Sequence, residues 1–124
     1  MERVENFRDF QLYLRSMDLT RESYEVIHVC KEELTDKEVA LIRKMAVTIP
    51  IKIASAIGQV NMKVRFKMLN NAKVILIQLR ATMMEFNKKK KVDDHSLTRV
   101  NGYLEEILKL LYGYFGWISN EKAK

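Results

Sequence analysis

Apolar residues recur three and four apart through most of the chain, the spacing of one face of an α-helix. The clearest run is Leu97, Val100, Leu104, Ile107, Leu111, Tyr114 and Ile118, a strict heptad seam that predicts a helix over about 94–118. Phe66, Leu69, Ala72, Leu76, Leu79, Met83 and Phe86 predict another over about 62–87. Val39, Ile42, Ala46, Ile49, Ile53 and Ala56 or Ile57 predict one over about 36–57. The first helix is expected over about 9–30, with Phe10, Tyr13, Met17, Tyr24 and Ile27 facing inward and Leu14 and Cys30 extending that face. Arg15, Asp18, Arg21, Glu22 and Glu25 then form its solvated side.

The connections are short. Thr35 and Glu38 have the spacing of a capping box, with Leu34 and Val39 placed for a hydrophobic staple. Pro50 falls inside the second helix, where its missing N–H leaves the Ala46 carbonyl without its usual partner. A bent helix is expected, the alternative being two short helices broken before Pro50. Gly58 reads as the stop. Lys88 to Lys91 close the third helix and Asp93 and Asp94 open the fourth, each sign matching the adjoining helix dipole. The polar tail Ser119–Lys124 is expected to fray. Four such helices joined by tight turns predict an all-α, up-down-up-down four-helix bundle, one domain over residues 1–124. Helices 3 and 4 carry more apolar surface than one core needs. Ile75, Ile77, Tyr103, Phe115 and Trp117 are therefore expected at a subunit interface.

Charge changes the picture more than composition does. Of 124 residues, 22 are Lys or Arg and 16 Asp or Glu, a net charge of +6. Residues 1–38 hold 6 basic and 10 acidic side chains, residues 39–91 hold 12 and 1, and residues 92–124 hold 4 and 5. The middle segment is thus +11, which points to a polyanionic partner, RNA or DNA, unless the packed helices mix the signs. Its cations, Arg43, Lys44, Lys52, Lys63, Arg65, Lys67, Lys73, Arg80, Lys88, Lys89, Lys90 and Lys91, are the candidate phosphate contacts.

Catalytic patterns are missing. Glu25 and His28 have the Glu-x-x-His spacing of di-iron bundles, but no second pair accompanies them. His95 has no partner at metal-ligand spacing, and Cys30 no base nearby. No metal, cofactor or enzymatic activity is expected. The single cysteine suits a reducing cytoplasm, Met1–Asn6 has no apolar run that would make a signal peptide, and no stretch has the length of a membrane span.

Thr48-Ile49-Pro50, preceded by Ile42-Arg43-Lys44-Met45-Ala46-Val47 and followed by Ile53-Ala54 and Gly58, resembles a motif of the bacterial four helix bundle protein family. Founding members of that family are encoded in intervening sequences of 23S ribosomal RNA genes. Phe7-Arg8-Asp9-Phe10 with Tyr13 is similar to the family's opening, and the likeness runs over about residues 7–118. Lys52, Ser55, Ala56 and Gln59 depart from it, standing where the family has Asn, Glu, Gly and Arg. Gly116-Trp117-Ile118 is more like the accessory variability determinant proteins of diversity-generating retroelements. The resemblance implies a homopentameric ring without catalysis. Its retroelement branch implies nucleic acid and a reverse transcriptase as partners, and its ribosomal branch leaves open a protein-interaction scaffold with no nucleic-acid role.

Overall fold

A computed structural model describes the backbone of residues 2–123 and the side chains of residues 7–116. Four helices account for nearly all of it: α1 (Glu2–Val29), α2 (Asp36–Ile57), α3 (Met62–Lys88) and α4 (Asp94–Ala123). Helix α1 starts seven residues before the expected position, and α4 continues through the segment expected to fray. Helices adjacent in sequence pack on each other, and α4 closes back onto α1, with α1–α3 and α2–α4 on the diagonals. This is the up-down-up-down bundle.

Three of the four core faces are those the periodicity predicts. Ile42, Ala46, Ile49, Ile53 and Ala56 line α2, Leu69, Ala72, Leu76, Leu79 and Met83 line α3, and Val100, Leu104, Ile107, Leu111 and Tyr114 line α4, all essentially fully buried. Burying each Leu or Ile side chain stabilises the fold by roughly 1.5–3 kcal/mol. Ile118, the last member of the α4 seam, lies outside the described side chains.

Helix α1 is the exception. Its buried seam is Leu12, Ser16, Leu19, Ser23, Val26 and Cys30. Phe10, Leu14, Met17 and Tyr24, expected inside, are instead 37–58% exposed. Tyr13 and Ile27 are half-buried against the core. Glu22, assigned to the solvated side, is buried. The two buried serines donate to carbonyls of their own helix, Ser16 Oγ to Tyr13 O at 2.6 Å and Ser23 Oγ to Leu19 O at 2.8 Å. With their hydroxyls paired they enter the core at little penalty. Glu22 accepts two bonds from Arg99 of α4, at 2.6 and 3.2 Å. That carboxylate holds Arg99 above its ordinary pKa, through the hydrogen bond first and charge second.

The turns follow local rules. At the start of α2 the capping box closes, the Glu38 amide donating to Thr35 Oγ1 at 3.1 Å and the Thr35 amide to Glu38 Oε1 at 2.8 Å. Asn61 caps α3 by accepting from the Lys63 and Val64 amides. Helix α2 runs unbroken through Pro50. The Ala46 carbonyl that Pro50 cannot serve accepts instead from Thr20 Oγ1 of α1, at 2.7 Å. Gly58 caps α2 with right-handed backbone angles. Among the described residues Lys90 is left-handed, with φ 61°, which lets the Lys91 amide turn back to Phe86 O at 2.8 Å.

Candidate nucleic-acid interface

Packing divides the twelve candidate cations into three groups. Arg65 leaves the surface altogether. It occupies a core position of α3 with its side chain 8% exposed. Its Nε donates to Gln59 O and its Nη2 to Ile57 O, both at 2.9 Å, while Nη1 reaches Tyr114 Oη and lies 3.7 Å from Asp9. One guanidinium thus joins all four helices at the Gly58 end of the bundle. Its assignment to a phosphate site is corrected to a structural one. The sequence held the signal: Met62, Arg65, Leu69, Ala72 and Leu76 keep the strict three-four spacing, and Arg65 sits on it.

Lys91 and Lys89 form the second group. Lys91 Nζ donates to both Glu38 oxygens, at 2.9 and 2.7 Å, tying the α3–α4 turn to the first turn of α2. Those bonds, followed by the Thr35 amide, hold the Glu38 carboxyl below the usual range. Lys89 lies 3.6 Å from Glu85, one turn back, an exposed pair. Such surface pairs contribute little and rearrange readily.

The third group is Arg43, Lys44, Lys52, Lys63, Lys67, Lys73, Arg80, Lys88 and Lys90. Among the described residues none of them has a carboxylate within salt-bridge distance. Several carboxylates of α1 and α2 are, by contrast, engaged inside the protomer: Asp9 by Arg65, Asp18 by Arg15 and Arg21, Glu22 by Arg99, Glu38 by Lys91. Packing therefore neutralises acids and leaves α2 and α3 cationic. Lys52 is half-exposed and continues the stripe Leu41, Met45 and Thr48 that borders α3. Lys63 and Lys67 are exposed near the start of α3, and Lys88 and Lys90 lie at its far end. At 1.5 Å per residue, Lys67 and Lys88 stand about 32 Å apart, so the cations form a band along the helices rather than one cluster.

Two cations of the band cover aromatic rings. Arg43 sits 5.9 Å from the Tyr24 ring centroid, and Lys73 lies 5.8 Å from Tyr112 and 5.7 Å from Phe115. Neither tyrosine was predicted at a site, although Tyr112 stands off the α4 seam and so had to face a groove or solvent.

The expected subunit-interface residues are not presented together. Ile75, Tyr103 and Phe115 are half-buried against the protomer's own core, Phe115 on Phe66 with ring centroids 5.0 Å apart. Ile77 is exposed, and Trp117 lies outside the described side chains. The main uncovered apolar surface is elsewhere, on α1 and α2. Phe7, Phe10, Leu14, Met17, Arg21 and Tyr24 alternate three and four apart along the outer side of α1. Val47 and Ile51 of α2 stand beside them, over a groove of about 390 Å³ floored by Tyr13, Thr20, Pro50 and Ala54.

The residues considered for chemistry are dispersed. Cys30 is buried, its Sγ 3.5 Å from Asp93 Oδ1 as donor, and burial raises its thiol pKa. His28 and His95 are exposed, and among the described residues no three His, Cys, Asp or Glu side chains are grouped to hold a metal ion. No described helix is long and apolar enough to cross a membrane. Compared with known proteins, the chain matches no family model, no curated protein and no solved structure.

Proposed function

We propose that this protein is a non-catalytic, homo-oligomeric helical bundle of the cytoplasm that binds the backbone of RNA or DNA. The observation that carries the reading is the cationic band of α2 and α3, which has no carboxylate partner among the described residues, on a protomer in which Asp9, Asp18 and Glu22 of α1 are matched internally. Lysines and arginines free of carboxylates neutralise phosphates without reading bases. Assembly is supported by the three-four seam on the outside of α1, which has the spacing of a helix-packing surface and whose Phe7, Phe10, Leu14 and Met17 are exposed. A ring of five and a reverse transcriptase as partner rest on the resemblance to the retroelement accessory proteins. The same seam favours a second reading, a protein-interaction scaffold of the ribosomal intervening-sequence kind, in which the lysines only solvate the surface.

Fluorescence anisotropy against a structured RNA at low and high salt separates the readings. Binding that weakens steeply with salt, and weakens further in a Lys44→Gln, Lys52→Gln, Lys67→Gln variant, supports the first. No binding at low salt, or binding indifferent to salt, overturns it.

A further inference from the structure

The groove between α3 and α4 has an order that general phosphate binding does not require. Along α3, Lys73, Ile77, Arg80 and Met84 occupy one stripe, spaced four, three and four. Cation and apolar side chain alternate over about 16 Å of helix. Ile77 and Met84 are 46% and 44% exposed, and Lys73 and Arg80 half-exposed with no carboxylate partner among the described residues. Across the groove Tyr112 of α4 is 55% exposed, and Lys73 lies over both it and Phe115. The Phe66–Phe115 contact packs α4 against α3 at this level, one turn from Tyr112. Exposed Glu105 and Lys109 of α4 offset each other, leaving the charge of Lys73 and Arg80 to set the sign of the groove.

A duplex offers such a groove only phosphates and sugars, and would press charge onto Ile77 and Met84. An unpaired strand offers both phosphates and base faces, and its bases stack on aromatic rings whatever their identity. We propose that this groove binds single-stranded nucleic acid, with phosphates on Lys73 and Arg80 and base faces against Tyr112, Ile77 and Met84. The proposal rests on the nucleic-acid reading above and narrows it to one groove and one strand state.

The test is anisotropy with a labelled mixed-sequence strand of about 20 nucleotides, as RNA, as DNA and as the matching duplex. Wild type is expected to bind either single strand about ten-fold or more tightly than the duplex. Tyr112→Ala is expected to weaken single-strand binding by about 5- to 100-fold, the range of one lost base stack, and to leave duplex binding unchanged. Tyr112→Phe keeps the ring and is expected to bind within about two-fold of wild type. Lys73→Gln should lower the salt dependence of single-strand binding by about one phosphate contact. A preference for RNA over DNA would place a contact on the 2′-hydroxyl within the same site. Circular dichroism of each variant confirms that the helices are retained. Strand binding that Tyr112→Ala and Lys73→Gln leave intact, while Lys44→Gln with Lys52→Gln removes it, overturns the groove assignment and keeps the broader reading. Absence of binding to all three probes at low salt overturns both.

Discussion

At the scale of single residues, the bundle is joined by side chains that complete a neighbouring helix. Thr20 does this for α2. Its hydroxyl supplies the donor that Pro50 lacks, to a carbonyl on a residue 1% exposed. Thr20→Val keeps the shape and removes that donor, so it is expected to cost about 1–3 kcal/mol in urea unfolding. In a Pro50→Ala background the restored amide serves Ala46, and the Thr20→Val penalty should shrink by half or more of that ~1–3 kcal/mol. An unchanged penalty would show that Thr20 acts through packing alone. The Pro50 lesion was legible in the sequence, but its remedy was not, because Thr20 lies 26 residues away and only the α1–α2 crossing brings it near. Arg65 was misread for a related reason. Composition counts a guanidinium as surface charge, whereas Asp9, Tyr114 and two turn carbonyls together give it a satisfied buried place.

Individual helices show where periodicity is a sufficient guide and where it fails. Helices α2, α3 and α4 each carry one dominant apolar seam, and the core lies on it. Helix α1 carries two seams on opposite sides. The richer one, with Phe7, Phe10, Met17 and Tyr24, faces outward, and the poorer one, diluted by Ser16 and Ser23, faces the core. Counting apolar residues selects the wrong side, since it cannot register that both serine hydroxyls bond within the helix. The outward seam makes a prediction about assembly. Ile51 is 58% exposed beside that seam, so Ile51→Glu should alter protomer stability by only about 0.5 kcal/mol or less. It should convert the proposed oligomer to single chains in light-scattering measurements of mass. A wild-type mass of one chain, or a variant mass equal to that of the wild-type oligomer, would remove α1 and α2 from the assembly surface.

For the molecule as a whole, charge segregation in the sequence translates only partly into charge segregation in space. The acidic first segment does meet basic partners, as Asp9–Arg65, Glu22–Arg99 and Glu38–Lys91 show, and these pairs link elements rather than cap a surface. The remaining excess stays on α2 and α3, which the counts by segment did foretell. They could not foretell the aromatic rings beneath Arg43 and Lys73, which depend on the angles at which helices meet. The same linkages govern behaviour in acid. Lys91 lowers the Glu38 pKa from its ordinary 4.5, and Ser96 lowers that of Asp93 from 3.8. Groups lowered in the folded state add stability above their ordinary values, and that stability disappears as pH falls through the folded ones. Melting temperature should therefore hold from neutral pH to about 5 and fall below it. Glu38→Gln should melt lower at neutral pH and show a shallower acid decline. A decline as steep as in wild type would assign the acid sensitivity to other carboxylates.

The bond from Thr20 to Ala46 also bears on how the chain folds. Helix α2 cannot close its own ladder at Pro50, so a peptide of α2 alone has an open turn at its centre. The α1–α2 hairpin becomes complete when α1 arrives, a contact between helices adjacent in the chain and so of lower loop-closure cost than that of α4 on α1. Amides on either side of Ala46 should then gain hydrogen-exchange protection together with those around Thr20, as one cooperative unit, ahead of the closure of α4 onto α1.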